Sequence, residues 1–494
     1  MSFGQFETLL REFISPAVVN LVLEDDDPVW SLIDTFDPLT TGGRTTGGAA
    51  GYEAQWKVKV QDGGRVSGQS FAGNTLSQVG KSSHLSVGQT ISNLYLDPQD
   101  TPLPAWITIK MALKRIIGSV TVSHEQIMAE LATKPIDEVA GNHVMDAVSR
   151  VRSLVTNSFW GGSNTVAQGD NKSSAIMATL TTDPGDIGNG DANRRTYGLA
   201  AGTFAKFKKG DMIEVGYNAN PGTDTFLTQR AGTGSKVAYV VDIDREARTI
   251  SLECKSGSTI TSVTIGDCLV LAGTYVFDGG AGFETDELAT RIPHGIESFL
   301  ASSGTFPGTS LDIADYSDLK AFVSGDETAL DDPTPEAVAL ILDKISDGGY
   351  APPEALFAER SLWTLYGQLE RESGAQYVVP QGAGFVGSGG VDGPVVQHMG
   401  NRFQRFSSTR MRPGSMVGLA PSTIKKYIPL GDKTVHWVYG NGPLAGTSSI
   451  FGAVHSSTQL SELADAPFNV YCEFSCDKPG RNFRRVGFKT QRNV

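Results

Sequence analysis

Residues 118–128 read Gly-Ser-Val-Thr-Val-Ser-His-Glu-Gln-Ile-Met. Ser123 is placed as a helix N-cap, with Gln126 three residues on as the reciprocal member of a capping box, so a helix is predicted to open at Ser123. Upstream the pattern is that of strands. Tyr52, Ala54, Trp56, Val58 and Val60 share one face, with Glu53, Gln55, Lys57 and Lys59 on the other. A matching run returns at Ile107, Ile109, Met111 and Leu113, opposed by Thr108, Lys110 and Lys114. Between the two lie polar, Gly- and Ser-rich residues without helical period, which predicts a long two-stranded excursion with an elaborated tip. A two-stranded ribbon is marginal alone in water, so it is expected to rest on something else, a second subunit being the candidate.

Downstream, Pro135 breaks or restarts the helix, because proline cannot donate within the ladder. From Ile136 the apolar positions Ala140, Val144, Ala147, Val151, Leu154 and Phe159 are spaced by three to five residues and end at Gly161-Gly162. That predicts an amphipathic helix of about 25 residues, roughly 37 Å long. His124 and His143 on this segment read as structural histidines. Residues 161–200, rich in Gly, Asn, Asp, Ser and Thr, read as a linker or long loop. Residues 203–277 read as a small β-barrel inserted into the main fold, with the turns Gly210-Asp211 and Gly266-Asp267 each preceding an apolar strand. Beyond Ile292 the pattern becomes α+β. Thr334 caps a helix with Pro335 at its first position and Ala337, Leu340, Ile341 and Ile345 on its face. A second helix runs from Leu362 to Arg371 with Leu365 and Leu369 inward, and residues 377–494 are mostly strands and turns.

The 494 residues suggest about three domains. With 39% hydrophobic and 19% charged residues the chain has material for real cores. Glycine is abundant, 57 residues, about one in nine against roughly 7% in an average protein. It has no Gly-X-Y period, which excludes collagen. No stretch approaches the roughly 18 apolar residues of a membrane span, and Met1 to Phe13 lacks the basic start and apolar core of a signal peptide. The expectation is a soluble, cytoplasmic product. The net charge of −13 disfavours broad nucleic-acid binding, but it is unevenly spread. Residues 1–50 hold two basic and eight acidic side chains, including the run Glu24, Asp25, Asp26, Asp27; residues 51–122 hold seven basic and four acidic. Blocks of opposite sign either face solvent or meet between subunits and set register.

Motifs of catalysis are scarce. Gly382-Ala-Gly384-Phe-Val-Gly387 matches the dinucleotide fingerprint in letters, but SGGVDGPV after it cannot open a helix. Gly80-Lys81-Ser82 ends like a phosphate loop without its first glycine. His124-Glu125 lacks the second histidine of a zinc-protease helix, since position 128 is Met128. Asp242 and Asp244 read as a hairpin turn rather than the start of a calcium loop. Cys254, Cys268, Cys472 and Cys476 are too few for a disulfide framework and read as half-buried strand residues. No catalytic residue, cofactor or metal is expected.

The run 118–128 resembles the strand-into-helix junction of tailed-bacteriophage major capsid proteins of the Hong Kong 97-type fold, with Ser123 and Glu125 at the positions that start the spine helix. Residues 352–380, PPEALFAERSLWTLYGQLERESGAQYVVP, resemble that family's central-domain segment. The resemblance implies an α+β fold with an N-terminal arm (1–50), an extended β loop (51–122) and the spine helix of a peripheral domain (123–160). It further implies an inserted β-rich subdomain (161–290), an axial domain with part of the peripheral domain (291–435) and return strands of the peripheral domain (436–494). It implies a virion protein, assembled in the host cytoplasm, that forms pentamers and hexamers of itself around packaged DNA held non-specifically. Portal, a separate scaffold protein and a decoration protein are its expected partners, and no membrane is. Trp56, Lys57, Lys59 and Lys81 on the loop and Glu24, Asp25, Asp26 and Asp27 on the arm are the candidate interface. Some relatives crosslink a loop lysine to a neighbour's asparagine; Lys81 stands near the tip, where a solvated lysine is the ordinary reading. An encapsulin-like compartment shell, another phage structural protein and an unrecognised α+β enzyme are the alternatives.

Overall fold

A fourteen-residue strand near the C-terminus, Leu463–Cys476, organises the molecule. The computed structural model describes residues 27–36, 38–41, 51–61, 105–123, 136–161, 176–182, 185–190, 193–199, 206–217, 227–244, 246–275, 277, 292–307, 309, 311–313, 316, 319–326, 329–372, 396–398, 401–429, 436–437, 452–453 and 463–490. The chain begins with β1 (Asp34–Phe36), β2 (Leu39–Thr41), β3 (Gly51–Gln61), β4 (Ala105–Ala112), β5 (Lys114–Ser123) and helix α1 (Ile136–Phe159). Its middle holds β6 (Ile176–Thr179), β7 (Arg195–Gly198), β8 (Met212–Tyr217), β9 (Thr228–Gln229), β10 (Gly232–Thr233), β11 (Val237–Asp244), β12 (Thr249–Cys254), β13 (Thr259–Ile260) and β14 (Cys268–Leu271). Then come α2 (Ile296–Phe299), β15 (Phe322–Ser324), α3 (Pro335–Asp347), β16 (Ala355–Ala358) and α4 (Arg360–Glu372). The last strands are β17 (Val396–His398), β18 (Asn401–Ser407), β19 (Met416–Leu419), β20 (Ile424–Tyr427), β21 (His436–Trp437), β22 (Gly452–Ala453), β23 (Leu463–Cys476) and β24 (Phe483–Arg485).

The first half of β23 runs antiparallel to β5, from Leu463↔Ser123 to Cys472↔Lys114, and its second half pairs with β20, itself flanked by parallel β1. Helix α1 lies on this sheet with Ala147, Val148, Val151, Leu154, Val155 and Phe159 buried. Gly118 makes the approach possible: a Cβ there would stand 2.5 Å from Phe468 Cζ and 2.9 Å from Val151 Cγ2. At the helix end Gly161 N donates to Ser158 O at 3.0 Å, and Gly161 O accepts from Glu297 N at 3.1 Å. The helix runs over 24 residues as the apolar spacing predicts. Ser123, read as the N-cap, is the last residue of β5, its backbone paired with Leu463, the extended conformation that an N-cap residue also takes. Gln126 and the rest of 124–135 lie outside the described residues.

The barrel is larger than its sequence outline. Its strands run in the order β6-β14-β8-β11-β12-β7, and a bridge between Leu180 and Leu199 joins the two ends of that path. Ile213, Val215, Ala238, Val240, Ile250, Leu252 and Leu269 fill it. Two of these strands, β6 and β7, fall within the stretch read as a linker, since four residues set among Gly, Asn and Asp give too short an alternation to detect. The two Gly-Asp turns have the expected form, Gly210 and Gly266 taking φ +88° and +89°, where L side chains are strained. Asp244 Oδ1 accepts from the amides of Glu246 and Ala247, so the Asp242–Asp244 segment ends in a hairpin turn.

The third layer is a mixed sheet ordered β15-β24-β19-β16-β18-β17, covered by α3 and α4. Thr334 Oγ1 accepts from Ala337 N at 3.2 Å, the N-cap predicted, and Val338, Ile341, Leu342 and Ile345 are buried. Leu340 is 56% exposed, contrary to its expected place on the inner face; it stands one residue from Ile341 and so points off the buried stripe. On α4, Leu362 and Tyr366 are buried and Leu365 and Leu369 half-buried. The chain's end does not all return to the α1 layer: β24 lies between β15 and β19, so the sheet of 322–419 takes one strand from the 436–494 stretch.

Candidate subunit interface

Asp27 closes the acidic run in the sequence, yet its side chain faces inward. Its Oδ1 accepts from Val29 N at 3.1 Å, and its Oδ2 accepts from Trp160 Nε1 at 2.9 Å and from Ser408 Oγ at 2.5 Å. One carboxylate thus ties the N-terminal segment to the end of α1 and to the turn after β18. Around it Trp30, Phe159, Trp160 and Phe474 form an aromatic cluster with ring centroids 5.0–5.7 Å apart. Trp30 Nε1 donates to Thr156 Oγ1 at 3.1 Å. The buried Lys426 lays its ammonium 4.5 Å from the Trp30 ring.

The ribbon β3–β4 pairs from Glu53↔Ala112 to Gln61↔Ala105, with a register shift after Lys59. Its two faces differ. Inward, Ala54, Trp56, Val58, Ile109 and Met111 are buried. Trp56 stacks on Tyr427 at 6.4 Å and meets the Phe299 edge at 6.5 Å. Tyr427 in turn donates its hydroxyl to Gln55 O at 3.3 Å, and burial raises its pKa above the usual phenol range. The support for the ribbon expected from another subunit is therefore supplied by the chain itself. Outward stand Lys57, Thr108 and Lys110, all exposed, with the Lys110 ammonium 3.9 Å from Glu53. Trp106 joins them at 56% exposure, opposite Lys59 in the register.

The predicted interface residues therefore part company. Lys57 is on the open face and Lys59 lies in β3 beside it. Trp56 and Asp27 are committed to the chain's own core, which corrects their placement at an interface: an indole flanked by two aromatic rings and a carboxylate with three donors have no surface left to offer. Glu24, Asp25, Asp26 and Lys81 lie outside the described residues, as do His124 and the Gly382–Gly387 loop. Sequence reasoning overlooked Trp106. The signal was available, since Trp106 shares strand parity with Thr108 and Lys110, and a tryptophan on a polar face is out of keeping with that face.

Buried polar groups elsewhere serve cohesion. Glu473, fully buried, accepts from His294 N at 2.9 Å and from Phe474 N at 3.0 Å, with His294 Nδ1 3.3 Å away. In the barrel Arg230 grips Asp267 through Nε and a terminal nitrogen at 2.6 and 2.5 Å and lies over the Tyr217 ring. The four cysteines are unbridged and buried, and burial pushes Cys268 and Cys476 up to about 12, so their thiols stay protonated. Among the described residues no group of three His, Cys, Asp or Glu side chains is placed to hold a metal.

No family profile and no curated protein matches this sequence. Among solved structures the chain is similar to the cyanophage A-1(L) capsid asymmetric unit, with 9% identity and a TM-score of 0.41 over 97% of this chain and 94% of that one. The satellite phage P4 procapsid including size determination (Sid) protein is matched at 8% identity and TM-score 0.35, over 97% and 100% of the two chains. The holo-SrpI encapsulin complex from Synechococcus elongatus PCC 7942 is matched at 11% identity and TM-score 0.20, over 40% and 57%.

Proposed function

We propose that this chain is the major capsid protein of a tailed bacteriophage, a subunit that assembles into an icosahedral head around packaged double-stranded DNA. The observation that carries the reading is the ribbon. It is held to its own core by Trp56 and leaves Trp106, Lys57 and Lys110 facing out on an extended element, next to a long helix laid on the β5–β23 pair. That order of elements is the one implied by the resemblance of residues 118–128 and 352–380 to capsid subunits.

The mechanism is association. Each copy offers several weak contacts, and closure of a symmetric shell adds them through effective concentration. In this reading the acidic segment Glu24–Asp26 meets the basic ribbon face of a neighbouring copy, while Asp27 fixes the base of that segment. Pentamers and hexamers of this chain, a portal, a separate scaffold and a decoration protein are the proposed partners. The net charge of −13 suits a wall that must release DNA, since a broadly basic lining would retain it.

Negative-stain microscopy with light scattering on the full chain tests the proposal. Closed particles of many copies are expected; a monomer at all concentrations, with and without phage scaffold, would sink it. Shells that co-purify with an enzyme and no DNA would indicate a cargo compartment instead.

A further inference from the structure

The connection between β6 and β7 carries the dipeptide Asn189-Gly190. Its backbone is pinned from several sides. Ile187 N donates to Ile260 O at 2.9 Å, Gly188 O accepts from Cys254 N at 2.8 Å, and Gly190 O accepts from the amides of Asn193 and Arg194 at 2.9 Å. Asn193 Nδ2 donates to Asn189 O at 3.0 Å. The Asn189 side chain, by contrast, is exposed, and among the described residues its amide takes part in no hydrogen bond.

The next backbone nitrogen is held by a carboxylate. Gly190 N donates to Glu253 Oε1, on β12, at 3.0 Å. Gly190 takes φ +79°, a conformation that suits glycine, and a Cβ there would meet nothing within 4 Å, so the space beside that nitrogen is open. An asparagine amide carbon and the following backbone nitrogen are one short segment apart, and their union closes a five-membered ring without any encounter between separate molecules. The obstacle is the amide proton, which must leave as the nitrogen attacks. A general base removes it when it stands within about 2.6–3.2 Å of the heavy atom that carries it, and Glu253 Oε1 meets that requirement.

We propose that Asn189 is a self-modification site at which Glu253 acts as the general base for succinimide formation. Gly190 N attacks Asn189 Cγ while its proton passes to Glu253 Oε1. The N–Cγ bond forms, the Cγ–Nδ2 bond breaks, and Glu253 returns the proton to the departing nitrogen, which leaves as ammonia. Water then opens the ring at either carbonyl and leaves aspartate or isoaspartate at position 189. One water is consumed and one ammonia released, with nothing oxidised or reduced. The product adds a negative charge to this barrel connection, and the isoaspartate form also lengthens a main chain that is tied at residues 187, 188 and 190. The proposal concerns the single chain and does not depend on the shell reading.

Peptide mapping by mass spectrometry tests it on the full chain aged at neutral pH. The succinimide is read as loss of ammonia, and its products as acid in place of amide. The chain's second Asn-Gly pair, Asn441-Gly442, serves as reference in the same digest. Conversion at Asn189 is expected to run at least about tenfold faster in the folded chain than in the same chain unfolded in urea, where Glu253 no longer holds Gly190. That comparison needs no variant. In Glu253→Gln, with folding read by circular dichroism, the folded rate at Asn189 should fall to the unfolded rate or below it. Conversion at Asn189 no faster folded than unfolded, or a folded rate unchanged in Glu253→Gln, overturns the proposal.

Discussion

At Gly118 a hydrogen is the only side chain that fits, because α1 and β23 both close on it. Gly118→Ala forces the Phe468 ring and Val151 apart and is expected to cost about 1–3 kcal/mol, as overpacking does, seen as a lower denaturation midpoint with the helical signal kept. The sequence marks this position as glycine but not why, since the reason lies in Phe468, paired with it across the sheet from 350 positions further along. Asp27 carries the same lesson. Four acidic residues in a row read as a solvated or docking run, and nothing local says that the last of them turns inward to an indole N–H. Lys206 gives a pH signature. Its folded pKa of about 8 lies below the ordinary 10.5, so the unfolded chain binds more protons between those values, and stability contributed by this group rises with pH across that window. Thermal melts from pH 7.5 to 10 should show a steeper rise for the native chain than for Lys206→Met; parallel curves would contradict it.

Helix α1 was legible from one chain because its apolar stripe spans several turns between Pro135 and Gly161, so the period repeats often enough to be seen. The barrel strands β6 and β7 were not, being four residues each and paired with distant partners. The ribbon is an intermediate case. Alternation revealed its two faces, but which face meets the chain's own core follows from Tyr427 and Phe299, far along the sequence. Those faces predict opposite phenotypes. Trp56→Ala removes a buried indole and should destabilise the fold by about 3–5 kcal/mol. Trp106→Ala should leave stability within about 0.5 kcal/mol, as ordinary surface changes do, and reduce particle yield instead. Urea denaturation and sedimentation measured on both variants separate the two effects.

For the whole molecule, charge is the readable part of the proposed assembly and geometry the unreadable part. Lys57→Glu with Lys59→Glu reverses two positive charges of β3 and is expected to lower shell yield, with melting unchanged; undiminished yield in a sedimentation assay would count against an acidic partner. The long strand β23 sets a different constraint, one of time. Arg115 on β5 and its hydrogen-bond partner Asn469 on β23 are separated by 354 positions. At a synthesis rate of about 5–20 residues per second, β5 waits roughly 20 to 70 s for its partner to emerge. Until then the layer under α1 has no second half, and the ribbon projects from an unfinished base. Through that interval β5 carries an unpaired edge, the kind of surface that makes a nascent chain prone to aggregate, so strand order alone sets how long the chain must be sheltered.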